Sequence, residues 1–317
     1  MLISIIVATY NRCNSLKKAL ESLANQDNDG SFEFEVLIID NNSNDGTRKF
    51  VDTELSKWGG RLRYFFEPIS GKPYALNKGI KEARGGILAF TDDDVTLDKR
   101  WILSLVGCFN HYACDGVGGR VLPVYPLQTA AWIKDNPHEM AGVVVICDFG
   151  EETKPFHPGM KKFIGANFAF KKEIFKECGL FKTDLIVGNI PIGEDTELIQ
   201  RLIQAKKILY YCGRALVWHP VDLKRLRLGF LARWHFSLGK IAAKSEYKEF
   251  EGKLVSWKGV PQYLFRGVVA DFILLTLFFW DRRRFLKNFR GFFRKIGMIA
   301  EYRAMRQKTS GSGYAQS

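Results

Sequence analysis

Leu2–Val7 is an unbroken apolar and β-branched run, and Asn14–Asn25 follows it with Leu16, Ala19, Leu20 and Leu23 at helical spacing, so a strand leads into a helix. The alternation recurs in Phe34–Ile39 before Asp45–Ser56, Leu62–Phe66 before Tyr74–Ala83, and Ile87–Phe90 before Leu97–Phe109. Apolar strands alternating with amphipathic helices predict βαβ units and a parallel sheet covered on both faces, an α/β fold of Rossmann-like character. Beyond residue 110 the pattern weakens. Val117–Pro123 reads as a strand, Phe163–Phe170 as a further apolar run and Lys172–Cys178 as a short helix. Gly193-Glu194-Asp195 opens a helix ending at Gln204, and Ile208–Tyr211 and Ala215–Trp218 are two more apolar segments. From Leu223 onward the reading is mainly helical, and the tail over about residues 309–317 reads as disordered.

In open α/β sheets ligands bind at the carboxyl ends of the strands. The residues just after three of the runs are polar: Thr9-Tyr10-Asn11-Arg12, then Asp40 to Thr47, then Thr91-Asp92-Asp93-Asp94. Three loops are thus expected to converge at one edge.

Composition sharpens the division of the chain. With 46% hydrophobic and 14% aromatic residues, the 317-residue chain can bury a sizeable core. Residues 222–317 hold 20 Lys and Arg against 7 Asp and Glu, which accounts for the whole net charge of +13 and leaves residues 1–221 balanced. The expected organisation is a neutral α/β domain over 1–221 and a basic helical region over 222–317, the latter suited to an anionic partner. The six cysteines are scattered singly, with no C-x-x-C pair, and read as reduced thiols. Met1–Val7 lacks the basic leader and cleavage site of a signal peptide, so a cytoplasmic location is expected.

Four clusters could carry chemistry. Adjacent carboxylates in Asp92-Asp93-Asp94 repel unless a cation neutralises them, and Mg²⁺ or Mn²⁺ suits oxygen ligands shared with phosphates; the alternative is an acidic turn capping a helix. Asp40–Thr47 could hydrogen-bond a nucleobase or ribose with Tyr10 stacking on it, or be an Asx-rich turn. Glu194 and Asp195 could include a general base, or complement a helix dipole. His219, at a strand end, could complete the coordination of a metal held by the acidic cluster, or be satisfied by hydrogen bonds.

The order of these motifs resembles family 2 glycosyltransferases of the GT-A fold. The resemblance runs over about residues 2–220 through Thr9–Arg12, Asp40–Thr47, Gly71–Ile80, Asp92–Asp94, Gly165–Phe170, Gly193–Leu198 and His219. It implies an inverting transfer of a sugar from a nucleoside diphosphate sugar, expected to be a UDP-sugar, to an acceptor hydroxyl in glycan or polysaccharide assembly. By position, Thr9, Tyr10, Asn11, Arg12, Asp40 and Asn42 fall where the family holds the nucleotide, with Asp40 accepting the uracil N–H. Asp92, with Asp93 beside it, matches the carboxylate near the ribose, and Asp94 and His219 match the ligands of Mg²⁺ or Mn²⁺. Asp195 matches the catalytic base, with Glu194 its neighbour. Gly165, Ala166 and Asn167, like Gly118-Gly119-Arg120, sit where the family shapes its donor-sugar and acceptor pocket. Two positions depart from the pattern: Leu76 replaces an Arg common before the Asn of the third motif, which leaves diphosphate contacts to Lys72, Asn77 or Lys78, and Asp93 adds an acid between the usual two.

Within Val260–Trp280, twelve Val, Ile, Leu and Phe at roughly −0.5 kcal/mol each are offset by Arg266 and Asp271 at about +3 each, so insertion across a bilayer is balanced. The Arg and Lys array that follows is interleaved with Phe285, Phe289, Phe292 and Phe293, the pattern of a helix lying in the headgroup plane of an anionic membrane. Peripheral membrane association, and hence a glycan or lipid-linked acceptor, is expected; no recognised nucleic-acid module surrounds the array, so nucleic acid is not. Two other classes compete, a GT-A-like nucleotidyltransferase and a non-catalytic sugar-nucleotide binder. The first lacks its Gly-rich basic loop after the first strand, and the second would have lost the base at Asp195.

Overall fold

The computed structural model describes residues 1–140, 143–157, 160, 163–184, 186–187, 190–191, 193–249, 256–257 and 259–311. The chain divides into two compact units, Met1–Leu127 with Val144–Val221 and Gln128–Val143 with Asp222–Ser317.

In the first unit β1 (Leu2–Thr9), α1 (Cys13–Ala24), β2 (Glu33–Asp40), α2 (Thr47–Leu55), β3 (Leu62–Phe66), α3 (Lys72–Glu82) and β4 (Ile87–Asp92) follow the expected alternation. β5 (Thr96–Leu97), α4 (Trp101–His111), β6 (Gly116–Val124), β7 (Thr153–Pro155), β8 (Asn167–Lys171), α5 (Glu194–Gln204) and β9 (Leu209–Pro220) come after. The sheet runs β3-β2-β1-β4-β8-β6-β9-β5, with β7 also on β9. It is parallel through β3-β2-β1-β4 and between β6 and β9.

The parallel sheet expected from the first four strand–helix pairs is found in β1–β4, whereas among the later strands β8 is antiparallel to both β4 and β6, and β5 and β7 are antiparallel to β9. An apolar run buried on both faces encodes a strand but not its direction. Two further boundaries differ. The helix expected from Leu97 begins at Trp101, because Thr96-Leu97 pairs with Val217-Trp218. Ile208–Tyr211 and Ala215–Trp218 are one bent strand, whose register shifts between Cys212 and Leu216.

Alternate residues of β1 serve the two faces. Ile3, Ile5 and Val7 pack with Leu16, Leu20, Leu23, Trp101 and Leu105, while Ile6 packs with Leu37, Ile39, Leu76, Ile80, Phe90 and Leu198. Phe90 is buried among Phe168, Phe175 and Phe181 at ring separations of 5.3, 5.8 and 5.5 Å; truncating it to Ala would cost about 3–5 kcal/mol.

The second unit contains α6 (Leu228–Glu249), α7 (Gln262–Leu277) and α8 (Arg282–Gly311). Gly239 of α6 and Gly297 of α8 allow a close crossing: a Cβ at Gly239 would lie 1.9 Å from the Arg294 carbonyl oxygen, and one at Gly297 would lie 2.0 Å from that of Phe236. Residues 128–143, expected to lie in the first domain, group with these helices, and Arg290 Nη1 donates to the Glu139 carbonyl at 2.6 Å. The helix reaches Gly311 into the tail expected to be disordered; residues 312–317 lie outside the described residues. Among the described residues no helix is long and apolar enough to cross a membrane.

The interleaved phenylalanines of α8 do not form the outward lipid-facing stripe expected from the sequence. Phe285, Phe289, Phe292 and Phe293 are half-buried. Phe285 stacks on Phe289 at 5.7 Å, Phe289 lies 4.8 Å from Phe293, and Phe292 lies 6.2 Å from Phe272 of α7. A helix packed along two neighbours buries a wider arc than a two-sided pattern suggests.

Candidate active site

Parallel register sets the site. Thr9 pairs with Asp40 and Ala8 with Asp92, so the ends of β1, β2 and β4 stand level and deliver their loops to one edge. The loops latch to one another: the Asn11 N–H donates to Ser43 Oγ at 2.9 Å, Asn11 Oδ1 accepts the Asn44 N–H at 2.8 Å, and Asp45 Oδ2 accepts the Cys13 N–H at 3.0 Å. Asn11 and Asn42 take left-handed φ values of 51° and 70°, which Asn tolerates better than most residues. Tyr10 is 55% exposed, a ring open to stacking.

Asp40 is buried, and its oxygens accept the Ser43 N–H and the Tyr64 hydroxyl, each at 2.8 Å. Burial and the Asp40 charge push the Tyr64 phenol up to about 12, so it stays a donor. A ligand N–H would use a remaining lone pair of Asp40.

The three acids after β4 diverge. Asp93 turns inward, accepting from Thr9 Oγ1 at 2.7 Å and Arg12 Nη1 at 3.1 Å. Burial, with Asp94 and Asp92 adding to it, raises its carboxyl to about 6 against the pull of Arg12. Asp92 and Asp94 turn the other way, toward His219, and one ligand atom from each of the three lies within 4.8 Å of the others. His219 Nδ1 lies 3.0 Å from the Pro220 carbonyl oxygen. A carbonyl only accepts, so Nδ1 carries a hydrogen, and Nε2 is the ring nitrogen that faces the carboxylates and could ligate a cation between them. Asp94 Oδ2 accepts from Arg12 at 2.6 Å, while Asp94 Oδ1 is buried and accepts no hydrogen bond from the described residues.

That orphaned oxygen, 3.6 Å from His219 Nε2, is what a cation would satisfy. Charge points the same way, since Asp92, Asp93, Asp94, Glu194 and Asp195 outnumber Arg12 and Lys72, the two permanent cations acting on them. A carboxylate pair with a neutral imidazole fits Mg²⁺ or Mn²⁺.

Lys72, at the start of α3, bonds Asp92 Oδ1 and lies in the field of Glu194 and Asp195. Burial alone would lower its pKa, but these acids outweigh it and hold the ammonium charged. Gly193, at φ 86°, turns the chain into α5 in a left-handed conformation suited to glycine. Glu194 and Asp195 therefore begin the helix. Burial and then Asp195 raise the Glu194 carboxyl above its ordinary range, with Lys72 opposing. Asp195 Oδ2 accepts the Gly165 N–H at 3.1 Å and Oδ1 the Thr196 N–H at 2.6 Å. One continuous acidic edge thus runs from His219 through Lys72 to Asp195 and Gly165.

Some residues expected in the donor site serve the scaffold instead. The Asn77 amide donates to and accepts from the Phe181 backbone at 2.8 and 2.9 Å, which leaves Lys72 and Lys78 of the three residues expected to meet a diphosphate. Asn167 is wholly buried, accepting from Trp101 Nε1 and donating to the Arg120 and Ala215 carbonyls. The Ala166 carbonyl accepts from Thr91 Oγ1 at 3.0 Å. Arg120 is paired with Asp148 at 2.8 Å. These polar groups came to attention through their place in a motif, which does not reveal the partner of a buried amide. Conversely, Tyr64 escaped notice, and Ser43 and Asn41 were included only as members of the Asp40–Thr47 segment. Asn41 pins the approach to Lys72, donating to the Glu67 and Ile69 carbonyls and accepting the Gly71 N–H at 2.7 Å. Its signal was position directly after Asp40; Tyr64 could be found only from strand order.

The profile of glycosyl transferase family 2 matches residues 4–179. The chain is 33% identical over 247 residues to glycosyltransferase AglE of Haloferax volcanii, covering 75% of this chain and 72% of that protein. It is 26% identical over 190 residues to the glucosyl-dolichyl phosphate glucuronosyltransferase of the same organism, covering 58% of this chain and 57% of that one. Among solved structures, the mannosyltransferase PcManGT from Pyrobaculum calidifontis, in complex with GDP-Man and Mn²⁺, superposes with a TM-score of 0.56 at 17% identity, covering 99% of this chain and 80% of that one. That last likeness concerns the fold. With its acidic edge built on a sheet of this order and a profile spanning more than half its length, the chain belongs to glycosyl transferase family 2.

Proposed function

We propose that the protein transfers a sugar from a nucleoside diphosphate sugar, a UDP-sugar by the reading of Asp40, to a hydroxyl of a lipid-linked glycan acceptor with inversion. The observation that carries the proposal is the union, on one edge, of the Asp92, Asp94 and His219 ligand atoms with the anchored carboxylate of Asp195. Thr9, Tyr10, Asn11, Arg12, Asp40 and Asn42 line the nucleotide side, with Tyr10 stacking on the base. Asp94 and His219, with the second oxygen of Asp92, would hold Mg²⁺ or Mn²⁺, which supplies electrostatic stabilisation of charge on the departing diphosphate. Lys72 adds a fixed positive charge there. Asp195 takes the acceptor proton as the new bond forms, a contribution of roughly 10²–10⁴-fold. Its two N–H bonds hold it in place, and Glu194, its pKa raised, limits repulsion beside it.

The dolichyl phosphate in the name of one relative supports a lipid-linked acceptor, and the basic second unit supports work at the cytoplasmic face of a membrane as a peripheral protein. The test is release of nucleoside diphosphate from a panel of UDP- and GDP-sugars with Mn²⁺, with and without polyprenyl-phosphate acceptors. Acceptor-stimulated UDP release supports the proposal; acceptor-stimulated GDP release retains the transferase and corrects the base; no release from any donor removes it.

A further inference from the structure

The outward face of α7 is apolar and uncovered within its unit. Val269, Phe272, Ile273 and Leu277 are 58, 57, 49 and 52% exposed, and just beyond the helix Phe279 and Trp280 reach 70 and 67%. Positions 269, 273 and 277 repeat at helical spacing within α7, so they form one stripe rather than scattered residues. Arg282, Arg283 and Arg284 follow at once, all exposed, with Lys287 a turn later. Such a contiguous apolar surface marks a binding face. The aromatic residues of α8 are half-buried, with Phe292 against Phe272, so the more exposed face is that of α7.

We propose that this stripe, ending in the Phe279-Trp280 elbow, docks into the interfacial layer of an anionic bilayer, with the arginine triad at the headgroups. Charge selects the occupant. A second copy brings the same basic excess, +13 over residues 222–317, and like charge opposes association, whereas anionic lipid complements it. Length agrees: α7 has 16 residues, too short to span a hydrocarbon core that needs roughly 20. Trp and Phe at the rim suit the headgroup level. The inference stands on the second unit alone and deepens the proposed function by bringing the enzyme to the surface where a lipid-linked acceptor resides.

Sedimentation of the full chain with phosphatidylglycerol-containing vesicles, against pure phosphatidylcholine and at low and high salt, tests it. The wild type is expected to pellet with the anionic vesicles at low salt and to release at high salt. The variant Phe279→Ser/Trp280→Ser is expected to partition roughly 10- to 100-fold less, and Arg282→Glu/Arg283→Glu/Arg284→Glu on the order of 100-fold less. All five substitutions are at exposed positions, and unchanged circular dichroism and unchanged turnover with a water-soluble acceptor separate lost docking from lost folding or lost catalysis. Wild-type protein left in the supernatant, or variants that pellet equally, would overturn the proposal. So would light scattering that shows a lipid-free dimer dissolved by Phe279→Ser/Trp280→Ser, since a second copy would then cover the face.

Discussion

At the sheet edge Asp93 is 4% exposed with its oxygens taken by Thr9 and Arg12, whereas beside α7 the triad Arg282–Arg284 stands in solvent next to Trp280 at 67% exposure. Both regions concentrate charge, yet the first holds its carboxylates buried or half-buried while the second keeps its cations at the surface, where Arg282 lies over Trp132, Arg283 bonds Asn136 and Arg284 pairs with Asp281. Buried, partnered charges make geometry: one substitution changes where the remaining oxygens point. Exposed charges make a field, in which each contributes a little and salt screens the sum. The acidic edge should therefore respond steeply to single substitutions, and the helical unit gradually and additively.

The largest effect is expected from Asp195→Asn, which keeps the side-chain shape and one of its two accepting oxygens but removes the base: turnover should fall by roughly 10²–10⁴-fold, while donor affinity by calorimetry stays near the wild-type value. Asp94→Ala removes the buried oxygen that lacks a partner. Manganese-dependent donor affinity should drop at least as far as the ~10–100-fold seen when mere orienting partners of metal ligands are lost, and EDTA should have little further effect on the variant. Lys72→Met strips Asp92 of its bonded cation and should cost about 1–3 kcal/mol of stability. Mn²⁺ should raise the melting temperature of that variant more than that of the wild type, because the ion then meets an uncompensated acid.

The smallest effect concerns the helical unit, where the comparison can be sharpened. His235 is buried, its Nε2 lacks a partner, and burial, with Arg290 and Arg294 adding, lowers its pKa from 6.5 to about 4. The unfolded chain then binds more protons between these values, so His235 lowers stability as pH falls from 6.5 toward 4 and leaves it unaffected above. Melting temperatures across that range should fall less steeply in His235→Gln; an identical slope would show that the histidine does not titrate there.

Much of the acidic edge was legible because it is local. The runs Leu2–Val7, Phe34–Ile39 and Ile87–Phe90 each end in polar residues, and parallel pairing alone sets those ends level. The directions of β8, β5 and β7 were not legible, since their runs look alike either way round. Asn77 and Asn167 misled because an amide in a motif can face ligand or backbone, and only the buried partners Phe181, Trp101 and Ala215 decide. In the helical unit, composition revealed the charge but not which aromatics were most exposed: α8 packs against two helices and its phenylalanines are half-buried, while the exposed stripe fell to α7.

The most direct measurement is an anomalous-difference map from crystals grown with UDP and Mn²⁺. The expected result is a manganese peak bound by Asp94 and His219, with the uracil beside Asp40 and Tyr10 and the diphosphate between the metal and Lys72. Manganese and UDP bound away from Asp40, Asp94 and Asp195 would contradict it.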